Sequence, residues 1–374
     1  MKSTIFHIKY FLSALIIFLS IQKTETFSQN NEWFDPDTIK AGRFDTGKMW
    51  LFEHLPTEYF KEEYGFIPNK DWVDHVRIST LKFADYCSAS FISADGLIMT
   101  NHHCARESIT EVINEDEDLH KDGFIAWTID DERPVPGLFV EQCIGIEDVT
   151  DEIQSAIELA ESDSERFAIE SEKVQEIENR HQSNDETYAQ VTSLYFGGIY
   201  SLYIYKRYDD VRLVFAPEFQ AGYFGGDYDN FTYPRYNLDC SFFRVYDENG
   251  NPLKVDHYFN WSEEGAQPGE VVFVTGNPGS TSRLKTIAQL EYDRDFTIPQ
   301  TLDYLNGYIE IVEKIIKREP ERTIDLSDNL LDYYNSRKAY EGILDGLKNP
   351  MLIQRKKNFE KILREKIQSD PELE

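Results

Sequence analysis

The chain has 374 residues, 41% of them hydrophobic and 14% aromatic, which is enough to build cores for more than one domain and too apolar for a disordered chain. Acids outnumber bases 68 to 38, a formal net charge of −30, which argues against nucleic acid or an anionic membrane as a partner. Four cysteines occur without a C-x-x-C or H-E-x-x-H pattern, so disulfides are expected, and neither a metal nor another cofactor is.

Lys2 and Lys9 precede an apolar run over residues 10–21. That run is shorter than the roughly 20 residues a spanning helix needs, and it fits the apolar part of a secretory signal, with cleavage expected after Ser28. No cysteine follows it to carry a lipid anchor. The mature chain is expected to be exported, to the periplasm or the medium, with no membrane span. Residues 31–65 read as aromatic and loop-rich, 71–76 as a short helix and 77–83 as a strand.

Residues 88–106, S-A-S-F-I-S-A-D-G-L-I-M-T-N-H-H-C-A-R, read as a β-hairpin. Ala89 and Phe91 belong to its first strand, Leu97, Ile98 and Met99 to its second, and Ala94-Asp95-Gly96 to the turn. The second strand runs straight into Thr100-Asn101-His102-His103-Cys104. Cys87 stands just before the first strand, so Cys87 and Cys104 can face each other across the hairpin. A bond between them would pin the loop that aims the adjacent imidazole. The remaining cysteines, Cys143 and Cys240, form a second pair by arithmetic only.

Beyond the hairpin, 107–114 reads as one or two helical turns, 137–146 as a strand, and 150–180 as a charged, exposed helix or helix pair. Strands follow at 188–194, 199–206 and 211–215. A Gly-rich stretch, G-G-D-Y-D-N-F-T-Y-P-R-Y-N-L-D-C, then leads into a strand that opens at Asp239. A further strand is expected at 270–275, ending in Gly276-Asn277-Pro278-Gly279-Ser280. Helical spacing takes over from residue 284, and no internal repeat is evident. His75 has neither a nucleophile nor an orienting carboxylate near it in sequence and reads as structural. The D-Y-D-N segment lacks the later ligands of a calcium loop.

T-N-H-H-C-A-R, the Gly-rich stretch with its following Asp, and G-K-M-W-L-F near residue 50 together resemble the serine dipeptidyl peptidases of peptidase family S46. The resemblance covers about residues 50–349. It implies a mostly β fold with inserted α structure: a chymotrypsin-like double β-barrel, with the first barrel present, plus part of an α-helical cap. The division that follows is a signal peptide at 1–28, a barrel region at 29–283 and the start of the cap at 284–374. His103, beside a cysteine as in the T-A-A-H-C of trypsin-like enzymes, is implied as general base, with His102 its neighbour. Asp239 is implied as the orienting acid; Asp227 and Asp229 compete for that role and read as loop-shaping.

The same resemblance implies that Asn230 and Phe231, with Asn335 from the helical part, hold the free α-amino group of an oligopeptide. The activity implied is release of dipeptides from that free N-terminus, and a homodimer is compatible with the family. An endopeptidase of trypsin or glutamyl type is disfavoured by the amine clamp. The family's nucleophile motif, G-N-S-G-S-P, does not occur in these residues. Its nearest imitation has Pro278 where the nucleophile would stand, so Ser280 is not taken as catalytic. The chain is therefore expected to be the N-terminal half of such an enzyme, with a base and an acid but no nucleophile. The alternative is a catalytically inactive, exported peptide-binding relative.

Overall fold

The computed structural model describes residues 35–371 apart from 46, 182–186, 227, 279, 280 and 283. The expected signal segment, Asp227 and Ser280 lie outside the described residues. The chain divides into two compact units, a larger one of 47–284 and 299–342, and a smaller one that includes 285–298 and the residues from 343 onward. Residues 299–342 therefore go with the sheet rather than with the other C-terminal helices.

The larger unit opens with helices α1 (Thr57–Tyr64) and α2 (Lys70–Ser79). Asn69 caps α2 by accepting from the Trp72 backbone N–H at 2.8 Å, and Asp74 pairs with Arg77 one turn on at 3.1 Å. These contacts carry the helix past the stretch expected to be helical. The strand expected from residue 77 begins only at Thr80, as β1 (Thr80–Phe83).

The hairpin strands are β2 (Cys87–Phe91) and β3 (Leu97–Thr100). Gly96 in the turn has φ +69°, and a Cβ there would sit 2.8 Å from the Val245 carbonyl oxygen, so the turn needs glycine. Next come α3 (His102–Thr110) and the short α4 (Leu119–Asp122). Strands β4 (Phe124–Ile125), β5 (Arg133–Pro134) and β6 (Val140–Asp148) lead to helices α5 (Thr150–Ile157) and α6 (Asp163–His181). Strands β7 (Thr187–Leu194), β8 (Ile199–Tyr208), β9 (Val211–Ala216) and β10 (Ser241–Val245) complete the set.

All the described pairings are antiparallel, in the order β4-β9-β10-β3-β2-β1-β6-β8-β7, with β5 also on β9. Alternation decides what goes inside: β10 buries Ser241, Phe243 and Val245 and leaves Phe242 and Arg244 half-covered. Phe83, Phe91, Ile98 and Leu213 join Phe243 in the main core, against Ala105 and Ile109 of α3. A second core forms where Ile153, Ile157 and Ile177 of α5 and α6 meet Tyr200 and Leu202 of β8.

Three expectations are corrected here. Helices hold more residues than strands, because the charged stretch after residue 150 and most of the chain after 286 fold into helices, whereas the strands are short. Residues 270–275 do not form a strand: Phe273 packs on Phe60, Phe66 and Trp72 and Thr275 bonds Thr80 at 2.8 Å, but among the described residues no ladder partner runs alongside. Cys143 and Cys240 are both free thiols. They belong to β6 and the residue before β10, four strand steps apart in the sheet, which is roughly 19 Å at the usual strand spacing and far beyond disulfide reach. The bond between Cys87 and Cys104 is present, with the Cα atoms 6.3 Å apart.

The remaining helices are α7 (Ile287–Tyr292), α8 (Ile298–Arg318), α9 (Thr323–Lys348) and α10 (Pro350–Ser369). In the smaller unit Glu360 accepts from the Ile287 backbone N–H at 2.8 Å, and Asn358 donates to the Pro36 carbonyl at 2.8 Å. Asn349 caps α10, accepting from Met351 N–H at 2.9 Å ahead of a proline at the first helical position. Asn349→Ala is expected to lower stability by about 1 kcal/mol, read from the urea midpoint of unfolding. Among the described residues no helix is long and apolar enough to cross a membrane.

Candidate active site

Strand register sets the geometry of the site. Ser241 lies opposite Thr100 across the β10–β3 ladder. In an antiparallel pair, residues before Ser241 run beside residues after Thr100, so Asp239 arrives next to the first turn of α3. Asn101 is extended (φ −72°, ψ 146°) and the chain turns helical at His102, earlier than the sequence pattern indicated.

His103 and Asp239 meet there. The His103 Nδ1 lies 2.8 Å from Asp239 Oδ2 and 3.0 Å from Oδ1. The His103 backbone N–H also donates to Oδ1 at 3.0 Å, and the Asn101 amide donates to Oδ2 at 3.1 Å. Burial pushes the Asp239 carboxyl up, but these bonds to His103 and Asn101 outweigh it and hold the group below the usual carboxylate range. An ionised carboxylate only accepts, so Nδ1 must carry the imidazole proton, and the Nε2 lone pair is left to take another. No described serine hydroxyl bonds His103.

Other side chains complete this corner, and most of them carry no motif. The His103 ring stacks on Phe224 at 4.1 Å between centroids, and the Arg235 guanidinium lies over the same ring at 4.7 Å. Glycines on both sides of Phe224 were the only sequence signal that this loop packs closely. His102, 2% exposed, points inward with Nδ1 3.1 Å from the Ser241 hydroxyl. Arg106, also buried, sets its Nε 3.0 Å from Asp328 and its Nη2 3.7 Å from Asp332 and so ties α3 to α9.

The structure brings two of the three expected substrate-binding residues together across 105 residues of sequence. Asn230 donates through Nδ2 to Asn335 Oδ1 at 2.9 Å and accepts from Arg235 Nη1 at 3.0 Å. Asn230 is fully buried, so a ligand reaching the pair meets Asn335 first. Each amide carbonyl keeps a second lone pair, which is what an ammonium group requires. Phe231, the residue after Asn230, is 61% exposed with φ +60°, a strained backbone for an aromatic residue. His75 lies elsewhere, bonded to His257 at 3.1 Å between Nδ1 atoms. Cys87, Cys104 and His103 cluster closely enough to hold a metal, but the two sulfurs are bonded to each other, which leaves no thiolate to ligate.

Comparison with known proteins gives the chain its family. The chain is 30% identical over 330 residues to dipeptidyl-peptidase 7 of Porphyromonas endodontalis, a match covering 84% of this chain and 40% of the relative. It is 28% identical to the Asp/Glu-specific dipeptidyl-peptidase of Flavobacterium psychrophilum, over 86% of this chain and 47% of the other. The chain thus spans less than half the length of these curated relatives. In fold it is similar to Porphyromonas endodontalis DPP11 in complex with the dipeptide Arg-Asp: the TM-score is 0.70 at 22% identity, over 88% of this chain and 50% of that one. The family model for Peptidase S46 matches residues 44–374, and the chain belongs to that family.

Proposed function

We propose that this chain supplies the general base, the orienting acid and the amine-holding side chains of an exported serine dipeptidyl peptidase that releases dipeptides from the free N-terminus of oligopeptides. In this reading the antiparallel sheet is the first barrel of a chymotrypsin-like pair. The observation that carries the reading is His103, held through Nδ1 by an ionised Asp239 with Nε2 uncommitted, in the same unit as the Asn230–Asn335 pair.

The chemistry follows from that geometry. A serine in a G-N-S-G-S-P context gives its proton to His103 Nε2 as its oxygen attacks the carbonyl of the second substrate residue. Asp239 and the Phe224 face stabilise the imidazolium that forms. The imidazolium then returns the proton to the leaving amine, and a water repeats the cycle to free the dipeptide. Asn335, backed by Asn230, receives the substrate ammonium, with Phe231 as an apolar wall beside it.

These 374 residues contain no G-N-S-G-S-P, so the chain alone is proposed to bind and not to cut. The absence of a described serine on His103 also favours a second reading, a peptide-binding protein without turnover. Calorimetric titration tests the shared part. Free Val-Ala should bind at least about tenfold more tightly than its N-acetyl form, and Asn335→Ala should erase the difference. Equal affinity for the two forms would sink the amine-holding role. Labelling of the isolated chain by a fluorophosphonate would show that it carries a reactive serine of its own.

A further inference from the structure

A cavity of about 970 Å³ in the sheet-bearing unit contains neither His103 nor Asp239 in its lining. Its lining includes the apolar residues Ala84, Val135, Leu138 and Phe219. Glu107, Glu111, Asp118, Glu218 and Asp328 contribute carboxylates to its wall, against Lys121 and His120. Three of those acids are committed: Asp118 caps the Lys121 N–H, Glu218 accepts from the Gln220 and Ala221 N–H groups, and Asp328 pairs with Arg106. The Glu107 and Glu111 carboxylates have no hydrogen-bond or ion-pair partner among the described residues.

Those two glutamates continue the stripe that starts at the base. His103, Glu107 and Glu111 follow one another at four-residue spacing on the exposed face of α3, Glu107 roughly 6 Å and Glu111 roughly 12 Å along the helix from His103. Like charges at this spacing, the second at the helix C-terminus, weigh against the helix unless a cation covers them. Tyr86, which also lines the cavity, donates to the Cys104 carbonyl at 3.4 Å, so the cavity abuts the disulfide beside His103.

Helix α9 gives the direction. Along it Asp328 lines the cavity, Asp332 lies in electrostatic range of both Arg106 and His103, and Asn335 bonds Asn230. The base therefore falls between the cavity and the amine-holding pair. The general-acid step starts the leaving fragment at His103, and its remaining residues have to lead away from Asn335.

We propose that this cavity receives the part of the oligopeptide beyond the scissile bond and favours lysine or arginine there; the proposal rests on the dipeptidyl peptidase reading above. An extended chain advances about 3.3 Å per residue, so Glu107 faces the second residue after the cut and Glu111 the fourth.

The test uses this chain, titrated calorimetrically with Val-Ala-Ala-Lys-Ala-Lys, with Val-Ala-Ala-Glu-Ala-Glu and with Val-Ala. The lysine peptide is expected to bind about five- to tenfold more tightly than the glutamate peptide at low salt. In the Glu107→Gln, Glu111→Gln double variant that ratio should fall to about one while Val-Ala affinity stays unchanged. A ratio near one in the unaltered chain, or a ratio that survives the double substitution, overturns the proposal. If Val-Ala fails to bind while the carboxylate-dependent lysine preference persists, the cavity assignment stands and the amine-holding reading falls.

Discussion

Asp239→Asn is expected to lower dipeptide release by about 10⁴-fold in any preparation of this protein that shows the activity, with little change in KM. The carboxylate accepts from three donors at once: the imidazole Nδ1–H, the backbone N–H of His103 and the Asn101 amide. An asparagine side chain offers one acceptor oxygen and one NH₂ group in the same space. With its oxygen on the backbone N–H, its NH₂ faces Nδ1 and imposes the tautomer with the proton on Nε2, which cannot take a proton from a serine. The ring would stay stacked on Phe224, so the loss falls on kcat rather than on substrate binding. Initial rates with a chromogenic dipeptide substrate bearing a free amine would measure it. A loss of less than tenfold would mean that another group orients His103; Asp227 and Asp229, from the same Gly-rich stretch, would be the next to replace.

How much of this was legible in advance depended on whether a local pattern carried the information. T-N-H-H-C announces a strand end, a paired imidazole and a sulfur that can be pinned, and those local relations survive folding. The meeting of His103 with Asp239 is non-local, but it follows once β3 and β10 pair in register, because each residue sits a fixed short step from the ladder. The stack of His103 on Phe224 and the tie from Arg106 to Asp328 and Asp332 have no periodicity to betray them. They depend on which loop and which helix face happen to cover α3.

Residues 270–275 show the opposite failure. The apolar run V-V-F-V within E-V-V-F-V-T has high strand propensity, but a strand also needs an edge to pair with, and propensity is silent about that. The Cys143–Cys240 pairing failed for a related reason: counting the leftover thiols says nothing about how many strands separate them.

The stability of the fold should fall by roughly 3 kcal/mol as pH drops from 6.5 to 4, and His102 should be the cause. Its imidazole is buried, and burial first, then the nearby Arg106, His120 and His103, push its pKa down to about 4; Asp239 pulls the other way without prevailing. An unfolded histidine titrates near 6.5. Between those two values the unfolded chain binds a proton that the folded chain refuses, so the stabilisation is whole above pH 6.5 and is lost as pH falls through the folded pKa. The ring cannot escape by moving, because Gly222 packs on it so closely that a Cβ there would lie 2.3 Å from Cδ2. Asp239, whose pKa is depressed, contributes in a more acidic window, below its ordinary carboxylate range, so the two effects separate along the pH axis.

Urea unfolding at pH 7, 5.5 and 4 should show the decline in the unaltered chain and a flatter profile in His102→Gln, even if that variant is less stable at pH 7. Equal slopes for the two proteins would remove His102 as the source. The arrangement also bears on the base: a neutral His102 spares His103 a positive neighbour at the moment it takes up its own proton. The same burial that makes the fold acid-sensitive therefore keeps the adjacent imidazole free to hold charge.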